Sequence, residues 1–222
     1  GEKYPNSFMY NHDAGGGSTY IMGPYPLMFG RLFFGGRAPE KVLAVGQVDE
    51  LTGVDLQASI VLSFSSTHKK GVGLNSINND EATPIQPGSG VANLYYGLLG
   101  ESPEETLVIG TKGRIKICPP AHAPTKIVLE IKSTGRGTQG KKFEYEFPLP
   151  SLPEGAQEKD HRLYNYPGSA GFAYEAAAVA RCISKGKKEA PQYSLASTLI
   201  GVQMIEDILK QLGVKAIGDD KK

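Results

Sequence analysis

The chain has 222 residues, 40% hydrophobic and 21% charged, enough to bury one sizeable core. Its 24 Lys and Arg stand against 23 Asp and Glu, a formal charge of +1 that leaves no electrostatic footprint for nucleic acid or an anionic membrane. No apolar run approaches the roughly 20 residues of a spanning helix, and the two cysteines, Cys118 and Cys182, are too few and too far apart for a disulfide framework or a metal knuckle.

The start, GEKYPNSFMYNHD, has no usable period and lacks the layout of a secretion signal. After Gly15-Gly16-Gly17, Leu27, Met28, Arg31, Leu32 and Phe34 fit a short helix over 25–34, with Pro24 and Pro26 at its first turn and Gly35-Gly36 at its end. A strand is expected over 41–50. A second follows over 55–64, with Leu56, Ala58, Ile60, Leu62 and Phe64 on one face and Asp55, Gln57, Ser59, Val61 and Ser63 on the other. Residues 67–90, rich in Gly, Asn, Ser and Pro, read as a long, mobile hairpin insertion.

Strand-like runs resume over 91–99, 106–109, 114–118, 126–131 and 142–147, with turns at Gly100, Gly110, Gly113 and 135–140. No helical crossovers separate them, so the strands form an antiparallel meander. Phe172, Ala176, Val179, Ala180 and Ile183 then recur at helical spacing. Ser194 reads as the N-cap of a last helix, with Leu195, Leu199, Val202, Ile205, Leu209 and Leu212 on its apolar side and Gly213 at its end. Residues 215–222 form a frayed tail. The predicted fold is α+β, one domain over 1–222: a mostly antiparallel open sheet with helices packed on one face.

Chemical motifs are sparse. Gly15-Gly16-Gly17 lacks the Lys-Ser/Thr of a phosphate loop and follows no strand, so it reads as a turn before a helix. His12, His68, His122 and His161 form no close pair that would ligate a metal. There is no GxSxG elbow, and Cys182 reads as a packing residue on its helix.

Longer segments carry more. GGGSTYIMGPYPLMFGRLFFGG, EKVLAVGQVDELTGVDLQASIVLSFS, LVIGTKGRIKI and GFAYEAAAVARCISKGKKEAP occur here in that order. Together they resemble the C-terminal domain of the Gfo/Idh/MocA oxidoreductases, in the dimeric dihydrodiol dehydrogenase branch. The resemblance runs from about Asn11 to Val214 and rests most on GGGxxxxxGxY, TGVD, GTKG and YEAxxVxxCxxxGxxExP.

It implies an open sheet used mainly in self-association and residues that lie over the nicotinamide of NAD or NADP. The cofactor itself would be held by a Rossmann domain with a GxGxxG turn and an EKP lysine. Neither is in this chain, where Glu40-Lys41 follows a proline and starts a strand. By the same resemblance, the family's first strand of the sheet is expected to be missing or replaced before Asn11.

Family members carry DxGxY or DxGxH at the helix start, whereas this chain reads Ile21-Met22-Gly23-Pro24-Tyr25. Tyr25 is the candidate catalytic residue. Ile21 replaces the aspartate and can neither take a proton nor hydrogen-bond a hydroxyl.

The first functional expectation is therefore a non-catalytic association or scaffold subunit, binding itself or a protein partner through the sheet face, with no cofactor or metal of its own. The alternative is the substrate and dimerisation domain of an NAD(P)-dependent dihydrodiol or sugar dehydrogenase. A third reading makes 67–90 a lid or docking loop. Nucleic-acid binding and membrane insertion are not expected. The expected setting is soluble, in the cytoplasm or an organelle interior.

Overall fold

Alternation of large apolar with small polar side chains makes residues 55–64 a strand, the middle one of a three-stranded sheet. The computed structural model describes residues 7–65, 75–78, 81–84, 88–133, 135, 139–150 and 169–218. After two 3-10 turns, Phe8–Tyr10 and His12–Ala14, come α1 (Ser18–Ile21), α2 (Pro24–Leu32), β1 (Lys41–Val48) and β2 (Asp55–Phe64). A hairpin of β3 (Asn75–Asn78) and β4 (Glu81–Pro84) precedes β5 (Gly90–Gly97). Then follow β6 (Thr106–Gly110), β7 (Gly113–Ile117), β8 (Lys126–Ile131), β9 (Lys141–Glu146), α3 (Phe172–Ser184) and α4 (Leu195–Leu212). Apart from this hairpin and residues 88–90, the 67–90 insertion lies outside the described residues, as do His68 and His161.

The class is α+β, and among the described residues every strand pairing is antiparallel. The meander does not form a single sheet. Its strands divide into β1-β2-β5, the small β3-β4 pair, and β6-β7-β8-β9. The chain has two compact units, one of Gly1–Ser102 with Glu189–Lys222 and one of Pro103–Lys188.

In the first unit, helices α1, α2 and α4 cover one face of β1-β2-β5. Ala58, Ile60, Leu62 and Phe64 project from β2 into this layer and meet Leu27 of α2, Tyr96 of β5, and Met204 and Ile208 of α4. Full burial of an aliphatic side chain of this size contributes about 2 kcal/mol. Phe34 stacks on Phe64 with ring centroids 4.2 Å apart.

Ser194 caps α4 by accepting the Ser197 N–H at 3.2 Å, and Gly213 ends it at φ +77°. The C-terminal half of the expected stripe of α4 holds, since Leu209 is buried and Ile205 and Leu212 pack against the core, but its N-terminal half does not. Ser197, Met204, Ile208 and Leu209 are buried, while Leu195, Leu199 and Val202 face outward. Both sets recur at helical spacing, so periodicity alone could not choose between them. Near its end Gln211 reaches the edge of β1, taking the Ala44 N–H at 3.0 Å and donating to the Val42 carbonyl at 3.1 Å.

In the second unit, β6 to β9 carry charge on one face. Arg114 meets Glu130 at 2.5 Å, and Glu144 is held between Lys126 at 2.6 Å and Lys142 at 2.7 Å. Cross-strand rows of Ile115, Leu129 and Phe143 and of Ile117, Ile127 and Tyr145 alternate with these pairs. Helix α3 forms where its period places it, but none of its residues is buried; Phe172, Val179 and Ile183 are exposed, and Cys182 is half-buried rather than packed in a core.

Candidate functional site

The glycine run ends at Gly17, whose φ of +109° turns the chain into α1. Ser18 and Thr19 at this helix start are fully buried, beside a fully buried Asp55. One carboxylate oxygen, Asp55 Oδ2, accepts from Ser18 Oγ at 2.5 Å, Thr19 N at 2.7 Å and Thr19 Oγ1 at 2.8 Å. Since the Thr19 hydroxyl gives its proton to the carboxylate, Tyr96 donates to Thr19 Oγ1 across 3.0 Å. Burial pushes the Tyr96 phenol up to about 12, which keeps it a donor at neutral pH. Asp55 Oδ1 has no hydrogen-bond partner.

Alternation assigned Asp55 to the polar face, and the structure overturns this. The register of β1 against β2 shifts between Gln47 and Val48, so that Asp55 pairs with Val48 while Gln57 pairs with Gln47. This bulge places both Asp55 and Leu56 in the interior. The sequence alternates without interruption from Val54 through Asp55 to Ile60, so nothing in it marked the bulge.

Tyr25 lies in the first turn of α2 and is 52% exposed. Ile21 closes α1, one short turn before it. Between them Gly23 is wedged so tightly that a Cβ there would collide with the Thr19 carbonyl oxygen. Tyr25 is therefore presented outward from a rigid seat, with no acid or base on the Ile21 side chain beside it. Tyr20, on α1, has its phenol raised by burial and by Glu206 and Asp55.

A groove of about 260 Å3 runs between α2 and α4, lined by Pro24, Leu27, Met28, Val202 and Ile205 with Arg31 and Tyr193. Arg31 is fully buried, and burial lowers its pKa. Its guanidinium donates to Arg37 O at 3.3 Å, Ser197 O at 3.0 Å, Ser197 Oγ at 3.4 Å and Gly36 O. It ties the end of α2 to the start of α4.

The glycine loop does not fit a dinucleotide phosphate. The first-turn N–H of Thr19 is already taken, and the group that takes it is a carboxylate. Among the described residues no group of three or more His, Cys, Asp or Glu is placed to hold a metal. His12 bonds Lys215 O at 2.8 Å, and His122 pairs with Glu104 at 3.5 Å. Among the described residues no helix is long and apolar enough to cross a membrane.

Comparison with known proteins shows what the chain is similar to. The trans-1,2-dihydrobenzene-1,2-diol dehydrogenase of Sus scrofa is 31% identical over 199 residues, which is 90% of this chain and 47% of the pig protein. The protein of that name in Xenopus tropicalis is 29% identical over 202 residues, 91% of this chain and 48% of its own length. The chain is similar to one half of these dehydrogenases of the Gfo/Idh/MocA family.

The chain spans about half the length of the curated relatives it matches. No protein-family model matches it. Among solved structures, a 3-ketoreductase from Actinomadura kijaniata, determined with TDP-benzene and NADP, aligns with 94% of this chain and 50% of its own at a TM-score of 0.56 and 13% identity. That likeness is one of fold alone.

Proposed function

We propose that this chain is the substrate-side half of an oxidoreductase, acting opposite a half that binds NADP or NAD. The observation that carries the reading is Tyr25, exposed on a helix start whose seat is fixed from beneath by Asp55 and Gly23. Trans-dihydrodiols or pentose-like sugars would lie against α1 and α2, with the Tyr25 phenol orienting a hydroxyl. Ile21 supplies no proton acceptor, so the base comes from the other half. The cofactor, once bound there, supplies the hydride-accepting nicotinamide.

The test joins this chain to the nucleotide-binding half of the pig relative and follows NADPH formation from a trans-dihydrodiol and from pentoses. Slow turnover is expected, lowered about 100-fold by Tyr25→Phe and raised by Ile21→Asp. The reading fails if the fusion folds and binds NADP+ while both it and its Ile21→Asp variant stay inactive.

A second reading, an association or scaffold role without catalysis, is favoured by the outward face of β1-β2-β5. There Leu43 sits across from Val61 and Val45 from Ser59, which in turn faces Tyr95. Leu43, Val45, Val91 and Tyr95 are all exposed, Val45 at 77%. We propose that a second copy or a protein partner covers this patch. Sedimentation at tens of micromolar tests it: a dimer that Val45→Lys with Tyr95→Lys converts to monomer supports self-association. A monomer that also retains no partner from its native source removes the association reading.

A further inference from the structure

We propose that Asp55 is a positioning residue whose carboxylate, acting through Thr19 and Gly23, sets where Tyr25 stands. The inference rests on reading Tyr25 as the residue that meets substrate, and adds the device that places it.

The chain of contacts has three links. Asp55 Oδ2 takes both the N–H of Thr19 at 2.7 Å and its hydroxyl at 2.8 Å, which fixes the position and the rotation of that residue together. The Thr19 carbonyl then abuts Gly23, where no Cβ can be accommodated. Gly23 N donates back to Ser18 O at 3.1 Å, and Tyr25 N to Met22 O at 3.3 Å, so the turn between α1 and α2 has no slack. A displacement of Thr19 passes through Gly23 into the first turn of α2, where Tyr25 is carried.

A carboxylate is what this place requires. Three donors converge on one oxygen, more than an amide oxygen serves well. The other oxygen, Oδ1, is buried against Gly17 without a partner. An asparagine would put an NH2 either there, with nothing to accept it, or against the three donors.

The experiment labels the full chain with 3-fluorotyrosine and reads the 19F resonance of Tyr25, assigned among the 11 tyrosines by its loss in Tyr25→Phe. Asp55→Asn and Thr19→Val are expected to move that resonance by more than its own linewidth. Thr19→Ser, which keeps the hydroxyl, is expected to leave it in place. So is Val54→Ala, which opens a hole at the equally buried neighbour of Asp55. The proposal is overturned if Asp55→Asn, folded by near-ultraviolet circular dichroism, leaves the resonance unmoved, or if Val54→Ala moves it as far. Should Asp55→Asn not fold, the contrast between Thr19→Val and Thr19→Ser decides by the same criterion. No substrate or cofactor enters this readout, so an inactive fusion enzyme and an unmoved resonance are separate failures.

Discussion

Gly17 lies against the Asp55 carboxylate where α1 begins, so close that a Cβ on Gly17 would take the space of Oδ1. The same residue holds φ at +109°, a conformation that side chains other than hydrogen rarely adopt. Gly17→Ala therefore combines backbone strain with a steric clash and is expected to cost about 3 kcal/mol. Gly53→Ala, at φ +72° with open space around it, has only the first cost, about 1 kcal/mol. Urea unfolding of the two variants compares them directly. Equal losses would show that the carboxylate does not occupy that space.

Arg31 presents a different kind of dependence. Its guanidinium serves carbonyls of Gly36, Arg37 and Ser197 in a fully buried site. Arg31→Lys keeps the charge but not the fork, leaving buried carbonyls without donors. A loss of about 3 kcal/mol is expected, seen as a lower urea midpoint at unchanged slope. A lysine variant of wild-type stability would count against the clamp.

The two faces of β2 and β1 should respond unequally. Leu62→Ala removes a fully buried side chain from the centre of the helix–sheet layer and is expected to cost about 3 kcal/mol. Val45→Thr, on the outward face, is expected to stay within about 0.5 kcal/mol for the isolated chain.

Glu144 gives the pH prediction. Hydrogen bonds from Lys126 and then Lys142 hold its carboxyl down to about 2, from an ordinary 4.5. A depressed folded-state pKa stabilises above the unfolded value, and the benefit disappears as pH falls through the folded one. The paired state should thus persist at pH 4 and be lost only towards pH 2. A 13C carboxyl titration reads the midpoint directly. Lys126→Gln with Lys142→Gln should return it to about 4.3.

Periodicity located most elements because their apolar spacing is decided by burial on one face. β8 occupies 126–131 as its residues predict, and Ser194 and Gly213 bound α4 through local capping chemistry. What sequence could not convey depends on partners distant in the chain. Asp55 is interior because of a bulge against Val48, and Arg31 because its acceptors come from a turn five or six residues on and from α4. The stripe on α4 was ambiguous for the same reason: whether Leu199 or Met204 turns inward is settled by the sheet beneath it, not by the helix. The motif names Tyr25 and Ile21 as candidates, whereas the contacts beneath them left no mark in the sequence.

The amide of Gln211 fills the role of a neighbouring strand at the rim of β1, matching Val42 and Ala44 as donor and acceptor. Contacts made along such a rim can repeat without end, since each added strand exposes a fresh one. A contact made face to face with a twin is satisfied once and stops. By taking Val42 and Ala44, Gln211 withholds two backbone groups of this rim from any strand that would extend the sheet there.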